Sequence, residues 1–180
     1  MNAKEILGMK IIDKDGKEVA KLADIRFNVK TYQVVDLYGS TGNPISKKYY
    51  EIDPKSIIAM GEYLLISETL DQLKENILTK IPADDETSTI NQGLEKTVID
   101  KDGNIAGKVT NIEIAKDPLT VTDIIVEKQS FGKSKAKYEI NKDDIVTNGD
   151  YIILNKTLSQ EKVPEDDEKD DETKEDDDEE

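Results

Sequence analysis

Ile12-Asp13-Lys14-Asp15-Gly16 returns unchanged 87 residues later as Ile99-Asp100-Lys101-Asp102-Gly103. At that offset Lys21, Ile25, Val34 and Asp36 meet Lys108, Ile112, Val121 and Asp123. A one-residue insertion then moves the offset to 88, where Tyr50-Glu51-Ile52 meets Tyr138-Glu139-Ile140. Ile57, Gly61, Tyr63, Thr69 and Leu70 likewise meet Ile145, Gly149, Tyr151, Thr157 and Leu158. This gives 17 identities in 48 aligned positions, far more than random pairing yields, so the chain carries an internal duplication. The unit is roughly 65–70 residues long and occurs twice. Each copy must bury its own core or pair with its twin.

The unit reads as short strands. In the first copy residues 9–13 form a strand, and Lys14-Asp15-Gly16-Lys17 a tight hairpin turn, expected as type I′ from its Asp-Gly pair. Residues 19–28 form the second strand, with Val19, Leu22, Ile25 and Phe27 apolar. The phase slips between Leu22 and Ile25, which a β-bulge repairs. Helical spacing would also explain 19, 22 and 25, but the hairpin before and the β-rich segment after decide for strand. Residues 34–38 are the third strand, 48–52 the fourth, 54–59 a short turn or helical stretch, and 63–66 the fifth. So few short strands cannot cover both faces as a flat sheet; curling into a small barrel protects their edges. The fold class is therefore all-β, with barrels at residues 1–70 and 92–158.

Residues 71–91 form the linker. Leu70, Leu73, Ile77 and Leu78 have helical spacing, Pro82 ends the helix, and residues 84–89 read as a flexible loop. Residues 159–180 have almost no apolar content and are expected to be a disordered acidic tail.

These motifs resemble the PRC-barrel family. Members begin with a strand, a D-x-D-G turn and a second strand of the form G-x-V-x-D-hydrophobic. They end with an isoleucine, a short turn and a hydrophobic-G-D-x-hydrophobic run. The second copy carries Asp100-Lys101-Asp102-Gly103, Gly107-Lys108-Val109-Thr110-Asn111-Ile112, Tyr138-Glu139-Ile140 and Gly149-Asp150-Tyr151-Ile152-Ile153-Leu154. The first copy has Ala20 where the family often has Gly, while its Asp24 supplies the acid that Asn111 lacks. The resemblance covers about residues 5–70 and 92–158. It implies protein binding without family-wide catalytic residues. Overall the chain is most similar to stand-alone archaeal members, some of which act in cell division as partners of the membrane anchor of the tubulin-like ring. The alternative the family offers is a ribosome- or RNA-assembly factor.

Composition narrows function further. Cys and His are both absent, which removes disulfides, thiolate or imidazole metal sites and the commonest nucleophile–base pairs. No catalytic residue, metal or cofactor is expected. Net charge is −15, of which residues 161–180 supply −11, leaving a nearly balanced body with one Arg, Arg26. That is no footprint for direct nucleic-acid binding. No run of about 18 apolar residues and no signal-peptide pattern occurs, so a cytoplasmic, soluble protein without membrane insertion is expected.

Asp13-x-Asp15-Gly16 and its twin could open a calcium loop. However, position 12 of such a loop falls on Asp24 or Asn111 and intervening ligands are missing, so a turn is expected instead. Asp36 and Asp123 stand in apolar strands, and hydrogen bonding or solvent exposure is the expectation over catalysis. Tyr50/Tyr138 and Tyr63/Tyr151 recur in both copies, which points to packing. Tyr32 and Phe131 lack aromatic twins and sit in loop-like contexts, which makes them the candidate interface residues for a protein partner. Paired barrels in one chain further suggest an internal pseudo-dimer, or a homo-oligomer with two faces for partners.

Overall fold

The computed structural model describes residues 1–130 and 133–158. The first unit runs α1 (Ala3–Ile6), β1 (Lys10–Ile12), β2 (Glu18–Asn28), β3 (Val34–Thr41), β4 (Lys48–Ile52), β5 (Ile57–Met60) and β6 (Leu64–Ile66). Three linker elements follow: α2 (Leu70–Lys74), β7 (Ile77–Leu78) and β8 (Thr87–Thr89). The second unit runs α3 (Ile90–Gly93), β9 (Thr97–Ile99), β10 (Ile105–Lys116), β11 (Leu119–Ser130), β12 (Lys133–Asn141), β13 (Ile145–Asn148) and β14 (Ile152–Leu154). The fold is all-β.

Strand order is β5-β6-β1-β2-β3-β4 in the first sheet and β13-β14-β9-β10-β11-β12 in the second. The two orders are the same under the sequence offset. In each unit the end strands are joined by a single 3-10 turn, Pro54–Ser56 or Lys142–Asp144. The curl comes from the long strands. Register shifts fall between Leu22 and Asp24 and between Arg26 and Phe27 in β2, and at the equivalent Val109/Asn111 and Glu113/Ile114 in β10. The first is the bulge that the slip of apolar phase predicts; an extra residue bends the strand and raises its twist. Along β2 and β10 burial follows the same residue-by-residue pattern.

The D-x-D-G turn differs in detail from expectation. Gly16 has φ 77°, whereas neither Lys14 nor Asp15 has positive φ. A type I′ turn needs two left-handed residues. The Gly16 amide donates to the Asp13 carbonyl at 3.0 Å, closing a type I turn followed by a left-handed glycine, and Gly103 at φ 83° does the same.

The linker also departs from its spacing. The helix stops after one turn, begun by a capping box in which Thr69 and Gln72 satisfy each other's backbone. Ile77 and Leu78 leave it and pair with Tyr50 and Tyr49, covering the free edge of β4. Asn76 is a weak helix former, and an open strand edge offers backbone partners that an isolated turn cannot. The expected loop at 84–89 contains β8, which pairs with Arg26, Phe27 and Asn28 of β2.

The leading helices cross between units. α1 packs on β10 and α3 on β2. Asn2 bridges Glu113, and the Ile114 amide donates to the Met1 carbonyl at 2.8 Å. Adding 87 to the first partner and subtracting it from the second turns these into Thr89 with Arg26 and Ser88 with Phe27, both of which are paired. Gln33 bridges Thr120, a pair that maps onto itself. Contacts related in this way are those of a pseudo-twofold axis, the geometry of an isologous dimer. Apolar side chains from both units, including Ile11, Leu22, Phe27, Val98, Ile112 and Ile114, form one contiguous core.

Candidate interaction surface

Polar groups that the sequence raised as chemical candidates are occupied by structural work. Asp13 Oδ1 accepts from the amides of Asp15 and Lys17 at 3.0 and 2.8 Å, and its Oδ2 from the Leu70 amide at 3.1 Å. Asp100 Oδ1 accepts from Asp102 and Asn104 at 3.0 and 2.8 Å. Both carboxyls are held below their ordinary pKa, chiefly by the backbone hydrogen bonds from Lys17 and Asn104. Their lone pairs fasten the hairpin and leave little for a cation. Among the described residues no group of acidic side chains is arranged to hold a metal ion.

Asp36 accepts from Arg26 through Nε at 3.0 Å and through the terminal nitrogen Nη2. Arg26 lies over the Tyr38 ring at 5.8 Å, and the Tyr38 hydroxyl donates to Glu51 at 3.1 Å. Burial raises the Tyr38 pKa, with the Asp36 charge adding to it. Asp123 instead accepts from the Asn141 amide at 3.0 Å. Asp36 is thus an ion-pair partner of Arg26, taking both contacts on Oδ2.

Tyr32 is 6% exposed, with φ 62°. Its ring stacks on Phe27 at 6.1 Å, and its carbonyl accepts from the Val121 amide at 2.8 Å. Burial pushes its phenol up to about 12. What it anchors is therefore the seam with the chain's own second unit. Phe131 lies outside the described residues, as does the acidic tail.

The recurring tyrosines divide. Tyr50 is buried and Tyr138 half-buried. Tyr63 and Tyr151 are 48% and 55% exposed, which corrects the packing role expected for them. They stand beside registered rows on the outer faces. In the first unit Glu18, Ile12, Leu65 and Ala59 lie side by side across β2, β1, β6 and β5. In the second, Ile105, Ile99, Ile153 and Thr147 lie side by side across β10, β9, β14 and β13. Leu65 and Ile153 are exposed in both copies, as are Ile58 and Val146 at the adjoining bulges. The second row is the more apolar, because Ile105, 59% exposed, replaces Glu18. Period-2 alternation would normally place polar residues on an outward face. Isoleucine or leucine there, twice at the same register, is the signal that reading for core alone passed over.

The geometry defines a small β-barrel module that offers apolar sheet surface and holds its polar groups in structural bonds. Residues 1–73 match the family model of the PRC-barrel domain. No curated protein matches the chain. No helix among the described residues is long and apolar enough to cross a membrane.

Proposed function

We propose that the chain is a non-catalytic interaction scaffold built from two PRC-barrel units that bind partner proteins through their outer sheet faces. The observation that carries this reading is the repeated outward apolar register, Ile12–Leu65 and Ile99–Ile153, flanked by the half-exposed tyrosines. Exposed aliphatic rows next to aromatic residues are what protein interfaces are made of. The pseudo-twofold body supplies two related faces, so one chain carries two partner sites in fixed geometry. Within this reading the chain is cytoplasmic, and the resemblance to archaeal division proteins favours a membrane-anchor partner of the division ring. The assembly-factor alternative has less support: the body is nearly charge-balanced, and Arg26 is consumed by Asp36.

Affinity capture with the full-length protein from cells of its source tests this. Ile105→Glu and Ile153→Glu are outward changes and should alter stability by no more than about 0.5 kcal/mol. Each should deplete a defined partner set. The division reading expects the membrane anchor in that set, and the alternative expects ribosomal subunits. Identical capture by wild type and by the double variant, at equal melting temperature, would refute the scaffold role of these faces.

A further inference from the structure

The two units treat one strand edge differently. β4 and β12 pair with β3 and β11 in the same register, Gly39 with Tyr50 and Val126 with Tyr138. Beyond β4 lies β7, whose Leu78 and Ile77 pair with Tyr49 and Tyr50, and Tyr50 is buried. Among the described residues β12 pairs with β11 alone, and Tyr138 is only half-buried. The sequence holds no second copy of the apolar cover. At the offset of 88 that aligns β4 with β12, Leu73, Ile77 and Leu78 meet Glu161, Glu165 and Asp166. A strand edge left open in this way is a template for a further strand.

We propose that the occupant is a second copy of this chain, with β12 paired antiparallel to β12 across a twofold axis at Tyr138. Backbone geometry leaves few registers. Opposed residues in an antiparallel pair turn their backbone groups the same way, both toward the partner or both away from it. These directions alternate along a strand, so a strand pairing with itself must place the axis on a residue. An axis at Ala136 opposes Lys135 and Lys137, one at Lys137 opposes that lysine to itself, and one at Glu139 opposes two carboxylates. An axis at Ile140 leaves only residues 139–141 of β12 in the pair. An axis at Tyr138 opposes Lys137 and Glu139, twice by symmetry. Both of these residues are exposed and share one side of the strand, while Tyr138 turns to the other side and meets its own copy. A lysine on an edge ordinarily blunts pairing; here the glutamate two residues on supplies its counterion from the partner. β12 occurs once per chain, so association closes as an isologous dimer. This goes beyond the scaffold reading and uses none of the outer apolar rows.

Sedimentation velocity on the full-length protein, from about 10 μM to about 1 mM at about 0.15 M salt, tests this, because the salt screens the net charge of −15 on each chain. One strand edge belongs to the weak class of interfaces, below about 1,200 Å², so a reversible monomer–dimer equilibrium is expected within that range. Lys137→Glu and Glu139→Lys each set like charges opposite one another at two places and should weaken dimerisation about tenfold. Both should stay folded, with Lys137→Glu melting slightly lower because Glu127 lies opposite it in the chain's own sheet. Lys137→Glu/Glu139→Lys in one chain restores both pairs and should dimerise as wild type does. An equimolar mixture of the two single variants should do the same, since the glutamates of one chain then oppose the lysines of the other. Wild type that stays monomeric throughout, single variants that dimerise like wild type, or a loss that neither the exchange nor the mixture recovers each overturns the proposal. Ile105→Glu and Ile153→Glu should leave the dimer intact, which separates failure of this edge from failure of the outer faces.

Discussion

Asp13 shows how one side chain can hold a turn, a helix and a pH dependence together. Its carboxylate takes three backbone amides, two from its own hairpin and one from Leu70 at the start of α2. Bonds to the charged form lower the pKa, so the folded state keeps the carboxylate where the unfolded chain would protonate it. The resulting stability is present above the ordinary carboxyl value of about 4 and is lost as pH falls through the lowered folded value. Asp100 adds the same dependence in the second unit. Asp13→Asn keeps an oxygen for the hairpin but turns an amide nitrogen toward the Leu70 N–H, donor against donor. The double variant Asp13→Asn/Asp100→Asn should melt lower at pH 7 and show a shallower fall of melting temperature below about pH 4. Parallel curves for wild type and variant would contradict the assignment. Arg26 adds a second case: Arg26→Lys removes the forked contact to Asp36 and the stacking on Tyr38, so it should lower the melting temperature although the charge is kept.

Among the strands, a small residue has changed sides between the two units. Where the second unit has Gly107, the first has Ala20; where the second has Val126, the first has Gly39. A Cβ on Gly39 would come within 2.8 Å of Ala20 Cβ and of Ile11 Cδ1. A Cβ on Gly107 would meet the Glu127 carbonyl oxygen at 2.4 Å, at φ 151°. At Gly39 the limit is side-chain space beside Ala20 and Ile11, and at Gly107 it is the Glu127 backbone together with the positive φ. Gly39→Ala should cost about 1–3 kcal/mol by overpacking. Ala20→Gly in the same chain should recover part of that loss in a double-mutant cycle, because the two positions share the space. Strict additivity would mean that they do not. The missing Cβ at Gly39 leaves room for Ala20, where the motif has Gly. The D-x-D-G hairpin and the apolar phase with its bulge were legible because each is a local rule that the sequence repeats, whereas β5 (Ile57–Met60) was not, since residues 54–59 read as a turn or helical stretch. Nor were elements legible where tertiary pairing overrode spacing. Leu70, Leu73, Ile77 and Leu78 have one helical stripe, yet the last two residues bond to the β4 edge. α3 hides because only Leu94 of its surroundings matches the α1 region, where Leu7 stands. The outward tyrosines were visible as repeats, but repetition alone cannot say which face a strand turns outward.

At the level of the whole molecule, the seam decides whether two units behave as one. The core is contiguous across them, and the crossed helices α1 and α3 make each unit part of the other's packing. The wild-type protein should therefore unfold in a single calorimetric transition, with calorimetric and van't Hoff enthalpies equal. Tyr32 stands where this coupling can be probed: its carbonyl accepts from the Val121 amide of the second unit, and its buried ring stacks on Phe27. Tyr32→Phe keeps the stack on Phe27 and the backbone bond to Val121, and should retain the single transition. Tyr32→Ala removes the ring, costs about 3–5 kcal/mol, and should split the transition into two as the units uncouple. The phenol adds an independent readout. With its folded pKa raised from 10.0 to about 12, it contributes stability that is fully present below pH 10 and lost as pH rises through that interval. Tyr32→Phe should accordingly show a shallower alkaline loss of melting temperature than wild type, the remainder coming from Tyr38, whose pKa is raised as well. A single transition in Tyr32→Ala would show that the crossed helices alone hold the units together, and would move the origin of the coupling from the aromatic stack to the pairings of Asn2 and Thr89.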